Sequence, residues 1–163
     1  MRAVVGVALA LALVLAGCGS KSSPNTSGTG ASAVLTKPVY LAMLKRANSR
    51  VTKVERTAEQ GLSPGATPAH VKALILAWAR TETVLGRSFG SVRPPANAAS
   101  ANALLARGEI AFGSELAAAA NHLPQKTVAI GPYLQRALGH AKGPAMIDRA
   151  LAKLKGAGYG QPG

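Results

Sequence analysis

Few side chains in this chain could carry chemistry. Cysteine occurs once in 163 residues, at Cys18, directly after Leu15-Ala16-Gly17. A lone thiol forms no internal disulfide, so any domain that follows must fold on packing alone. The six acids, Glu55, Glu59, Glu82, Glu109, Glu115 and Asp148, are scattered. Glu55 and Glu59 are four apart on one helical face, but Arg56, three before Glu59, offers a solvated partner. A glycosidase-like pair needs two carboxyls converging in a cleft, which no spacing here requires. His70, His122 and His140, with Met43 and Met146, are the remaining candidates for soft-metal or haem ligation. The expectation is that the histidines are separate surface or cap residues and that the methionines fill the core. There is no Glu-x-x-His, His-Glu-x-x-His, Cys-x-x-Cys-His, Walker-type loop or Gly-x-Ser-x-Gly elbow. No catalytic residue, metal or cofactor is expected.

The segment before Cys18 bears on its chemistry. Arg2 is followed by an uncharged Ala/Val/Leu-rich run over residues 3–16. As a helix that run spans about 21 Å, short of a ~30 Å hydrocarbon core, which favours a cleaved secretory leader over a permanent span. With small residues leading into a cysteine, the run resembles a bacterial lipobox. The resemblance implies a diacylglycerol on the Cys18 sulfur and cleavage between Gly17 and Cys18, giving a signal peptide over residues 1–17. Two acyl chains hold where one binds only marginally, at about 0.8 kcal/mol per buried methylene. Residues 18–33 then comprise the lipidated cysteine and a Ser/Gly-rich tether, too polar to offset its ordering entropy. Its root-mean-square reach is roughly 20–23 Å.

One helical domain is expected over residues 34–159, with a frayed tail at 160–163. Tyr40, Leu44, Ala47, Val51, Val54 and Ala58 alternate at spacings of four and three, predicting a helix over residues 37–60. Thr36 is its expected N-cap, Pro38 lies in its first turn and Gly61 stops it. Thr67 and Pro68 open a second helix with Val71, Leu74, Ile75, Trp78, Leu85 and Phe89 inward. After Arg93-Pro94-Pro95, a third runs over residues 96–121 with an unusually small inner face, in which Gly108 and Gly113 each cost up to about 1 kcal/mol relative to Ala. Gly131-Pro132 is expected to open a fourth region and Gly143-Pro144 to interrupt it. The architecture is therefore an all-α, up-and-down bundle of four arms, the last kinked or split. In that arrangement His70 and His122 lie toward one end and His140 toward the other.

Nineteen Lys and Arg oppose six Asp and Glu, a formal charge of +13 that falls by one when Arg2 is cleaved away. Arg46, Arg50 and Lys53 share one flank of the first helix at i, i+4 and i+7. Near an anionic surface each such cation is worth about 1 kcal/mol within a Debye length. An exported domain held at a membrane would meet anionic lipid or wall polymer. Nucleic acid suits the charge but not the compartment, and the tyrosines and tryptophan on helix stripes read as core.

Beyond the lipobox, the chain resembles small helical lipoproteins of high-GC Gram-positive bacteria. The matching pieces are the tether, Lys37-Pro38-Val39-Tyr40 at the helix start, Pro94-Pro95, and Gly158-Tyr159. The resemblance implies anchoring on the extracytoplasmic side of the bacterial cell membrane and supplies no catalytic residues. The leading expectation is a non-enzymatic interaction domain in the cell envelope. The alternative is a carrier bundle holding a small apolar ligand, haem or metal, with Trp78, Phe89, Phe112 and Tyr133 around small-residue gaps. Mass spectrometry of membrane fractions should find a chain starting at a diacylated Cys18, and Cys18→Ala should release it from the membrane. An unmodified thiol on a chain still starting at Met1 would remove the anchor.

Overall fold

The computed structural model describes residues 33–62 and 65–160, so the leader, Cys18 and nearly all of the tether lie outside the described residues, as do residues 161–163. Five helices follow one another: α1 (Lys37–Gly61), α2 (Pro68–Ser91), α3 (Ala99–Asn121, entered through a 3-10 turn at Ala96–Ala98), α4 (Thr127–Leu138) and α5 (Lys142–Leu154). A wide π-type turn, Lys155–Tyr159, closes the chain, with Gly158 at φ 80° where a side chain would be strained. The fold is the all-α bundle expected, its fourth arm divided into α4 and α5. Among the described residues no helix is long and apolar enough to cross a membrane.

The helix starts show which local signals operate. Thr67 caps α2, its hydroxyl accepting from the His70 N–H at 3.2 Å, with Pro68 in the first turn. Thr36 precedes α1 in extended conformation but its side chain makes no cap bond. Two Gly-Pro pairs act differently from expectation. Pro132 lies inside α4, which starts five residues earlier at Thr127. It is exposed, so the Val128 carbonyl deprived of a partner faces water and the break is tolerated. Gly143-Pro144 forms the first turn of α5, where proline costs no hydrogen bond. The free N–H groups of Lys142 and Gly143 donate to the two carboxylate oxygens of Glu115 on α3, at 2.7 and 3.1 Å. A residue 27 positions away thus does the work of an N-cap.

Glycines set the helix spacing. A methyl at Gly86 of α2 would come within 2.7 Å of the Ala106 carbonyl of α3, and one at Gly113 of α3 within 2.7 Å of the Ala79 carbonyl of α2. These reciprocal approaches hold α2 and α3 in close contact and fix their antiparallel register. On the other side of α3, Gly108 lies under Ile147, and Gly143 of α5 lies against the Phe112 backbone. The helix-propensity cost of Gly108 and Gly113 is therefore the cost of close packing. α1 lies on α2, and α4 is held to α3 by the Tyr133 hydroxyl donating to the Ala119 carbonyl at 3.1 Å.

Two apolar clusters form the core. One gathers Tyr40, Leu85, Phe89, Leu105, Leu154 and Tyr159 at the pole where α1 begins. The other gathers Val71, Ile75, Leu116, Ile130 and Leu134 toward the opposite pole, with Trp78 and Phe112 against it. Gly113→Ala should lower the urea midpoint by the equivalent of about 1–3 kcal/mol, because overpacking against a carbonyl outweighs the gain in helix propensity. Gly90→Ala, where nothing lies within 4 Å of the added methyl, should raise it by about 0.5–1 kcal/mol.

Candidate functional site

Arg46, Arg50 and Lys53 are all exposed on one flank of α1, beside the face that buries Tyr40, Ala47 and Ala58. The antiparallel pairing of α1 with α2 adds Arg80 to Arg50. Both line a shallow hollow of about 220 Å³ with Thr81, Val84 and Leu85. Arg46 and Lys53 do not line it. Sequence reasoning missed Arg80 because α1 and α2 had not been laid side by side. Every lysine and arginine from Lys37 to Lys155 is exposed.

The acids behave oppositely. Contrary to the scatter read from the sequence, Glu55 of α1, Glu82 of α2 and Glu109 of α3 come together where the three helices meet. Glu82 is 1 % exposed and Glu109 6 %, and Glu55 is half-buried. Along α2, Glu82 falls between Ala79 and Leu85; along α3, Glu109 falls between Ala106 and Leu116. The carboxyls thus form a polar band separating the two apolar clusters. The Trp78 indole N–H donates to Glu82 Oε1 at 2.6 Å, one turn away on α2. The Trp78 ring packs edge-on against Phe112, centroids 5.4 Å apart.

Burial is the main force on the carboxyl protons. It drives Glu109 well above the usual carboxylate range, reinforced by a hydrogen bond to Glu82 and by the charges of Glu82 and Glu55. The Oε2 atom of Glu109 is buried without a donor. Two carboxylates cannot satisfy each other, whereas a carboxylic acid can donate to a carboxylate. A proton on Glu109, the direction in which burial pushes it, would let that side chain donate to Glu82. Glu55 is pushed up to about 7, first by burial and then by the charges of Glu82 and Glu59.

Glu115 is engaged in capping α5, leaving Glu59 and Asp148 as the exposed acids. His70, His122 and His140 are exposed, and among the described residues no group of three or more His, Cys, Asp or Glu side chains is placed to hold a metal ion. The four aromatics proposed to surround a carrier cavity are divided: Phe89 belongs to one apolar cluster and Trp78, Phe112 and Tyr133 to the other. The small residues of α3 are filled by neighbouring helices, as at Gly108 under Ile147. The hollow by Arg50 is lined by neither Glu82 nor Glu109.

No family model, curated protein or solved structure matches this chain. Its chemistry must therefore be argued from its own residues.

A carboxyl whose folded pKa lies above its unfolded value binds more protons in the native state. Its contribution is fully present below about pH 4.5 and is lost as pH rises, through about 7 for Glu55 and higher for Glu109. Stability from urea unfolding should therefore fall between pH 5 and pH 8, with a limiting slope of about 1.4 kcal/mol per pH unit per group. Glu109→Gln, which keeps a donor for Glu82 without a titrating proton, should flatten that slope and raise stability at pH 8. A wild-type profile that is flat or rises over this range would contradict the raised carboxyls of Glu55 and Glu109.

Proposed function

We propose that this chain is a lipid-anchored protein of the bacterial cell envelope, held through Cys18 on the extracytoplasmic side of the membrane. Its helical domain acts without catalysis, turning the basic face of Arg46, Arg50 and Lys53 toward anionic lipid or wall polymer. The observation that carries this reading is the segregation of charge. Every cation from Lys37 to Lys155 is at the surface, while Glu55, Glu82 and Glu109 are drawn into helix contacts and Glu115 is tied to α5. The outer surface is therefore more cationic than the formal +13 conveys. A solvated helix face needs no such asymmetry. A surface that associates with anions gains from it through long-range attraction.

Arg80 extends the same face, since it borders the hollow that Arg50 borders. Val84, 55 % exposed, lines the same hollow as Arg50 and Arg80 and offers an apolar contact there. Support for a non-catalytic role is the inaccessibility of the carboxyl band. The helices that carry its two most buried carboxyls, α2 and α3, are also the pair packed too closely to admit a methyl at Gly86 or Gly113.

Co-sedimentation with vesicles tests the reading. Binding to anionic vesicles should fall steeply with salt and be absent on zwitterionic ones. Reversing Arg46, Arg50 and Lys53 to Glu should weaken binding on the order of a hundredfold or more, from about 1 kcal/mol per cation removed and further repulsion from each acid added. Unchanged binding by the triple variant to both vesicles and wall polymer would overturn the electrostatic contact while leaving the anchor untouched.

A further inference from the structure

We propose that Glu55, Glu82 and Glu109 form a proton-operated latch, which fastens the C-terminal half of α1 onto α2 and α3 and lets go when the cluster loses its protons. The inference does not rest on the envelope reading.

α1 is fastened differently at its two ends. At its start, the Tyr40 hydroxyl donates to Asn102 Oδ1 at 3.0 Å, and Asn102 Nδ2 donates to the Phe89 carbonyl at 2.8 Å. The Tyr40 ring meets Tyr159 edge-on at 5.4 Å, and just upstream the Leu35 N–H donates to the Arg93 carbonyl at 2.8 Å. Nothing in this clamp titrates near neutrality: burial, aided by Tyr159, holds the Tyr40 hydroxyl up at about 12. Beyond residue 50, α1 has only Ala58 buried, with Val51, Val54 and Glu55 half-buried. That half therefore contributes little apolar burial, and Glu55 is its one polar side chain that is not fully exposed.

The groups acting on the cluster from each element share one sign. Glu55 is influenced by Glu82 of α2 and by Glu59 on its own helix, and Glu109 of α3 by Glu82 and Glu55. No cation contributes to either shift. The one neutral donor, Trp78 Nε1, is committed to Glu82. While Glu109 carries its proton, the orphan Oε2 has a use and the band bears little charge. Once protons leave, like charges accumulate away from water with nothing to compensate them. α2 and α3 cannot part without undoing the Gly86 and Gly113 contacts. α1 can. Glu55 is already half-exposed, and lifting its half of the helix takes its carboxyl out of the band and into water.

Amide hydrogen exchange on the full chain tests the latch, reported as protection factors so that the intrinsic pH dependence of exchange cancels. Between pH 5 and pH 7, protection of residues 51–61 should fall with a limiting slope of about tenfold per pH unit, one proton being released from Glu55 per opening, and level off by pH 8. At each pH residues 51–61 should open at a lower free energy than residues 38–47 and α3, whose protection follows the global unfolding free energy. Glu55→Gln should abolish the pH dependence in residues 51–61 and keep them protected at pH 8. Intact α3 protection in that variant shows that it is folded. Opening of residues 51–61 at the same free energy as α3 at every pH would overturn the proposal in favour of global unfolding, as would protection of residues 51–61 that is independent of pH or unaltered in its pH dependence by Glu55→Gln.

Discussion

Between α2 and α3 there is no room for a methyl group at Gly86 or at Gly113. That constraint sets the distance and antiparallel register of the central helix pair, and much of the molecule follows from it. The register places Glu82 of α2 and Glu109 of α3 in one buried band, where neither can find a cation. It gives α1 a surface on which Glu55 meets that band, and gives α5 the other side of α3 through Gly108. A bundle spaced by leucines would hold its central helices farther apart and leave space for water between the carboxyls. Here the backbones themselves exclude water, so a proton must do what solvent would have done.

The helices were legible wherever the signal was local. Thr67-Pro68 marks the start of α2 because a hydroxyl and an N–H three residues on suffice to make the cap. The 3-4 spacing of apolar residues located α1, α2 and α3 because each buries one face. The Gly-Pro pairs were misread because proline alone does not say whether it ends a helix, starts one or sits on an exposed side. Glu115 decided the matter for Gly143-Pro144, and it acts from a different helix. The carboxyl cluster was missed for a related reason. Glu55 is four after Val51, Glu82 four after Trp78 and Glu109 four after Leu105, so each occupies a stripe position. Reading stripes for apolar residues alone passes over the acids that complete them.

The folding of charge has a thermodynamic side. Burying a carboxyl as a neutral acid avoids most of the penalty of burying an ion. It also removes from the surface the groups that would have offset the lysines and arginines around it. The same displacement that creates the interior band thus creates the exterior imbalance. A basic helix face on an ordinary bundle would be interspersed with acids at i+4, whereas α1 turns Glu55 inward from beside Arg56. Core and surface are in this sense one arrangement.

The joint at the beginning of α1 has a mechanical meaning. Val34 and Leu35 run beside Arg93 in a short parallel pairing, and Lys37 lies 5.3 Å from the Tyr159 ring centre, so incoming and outgoing chain share one pole with the Pro94-Pro95 elbow. Tension arriving from upstream is delivered first to a collar of aromatic rings and amides, before it reaches the glycine-spaced centre. A pull on the chain before Val34 would load that collar while the seam between the inner helices bore little of it.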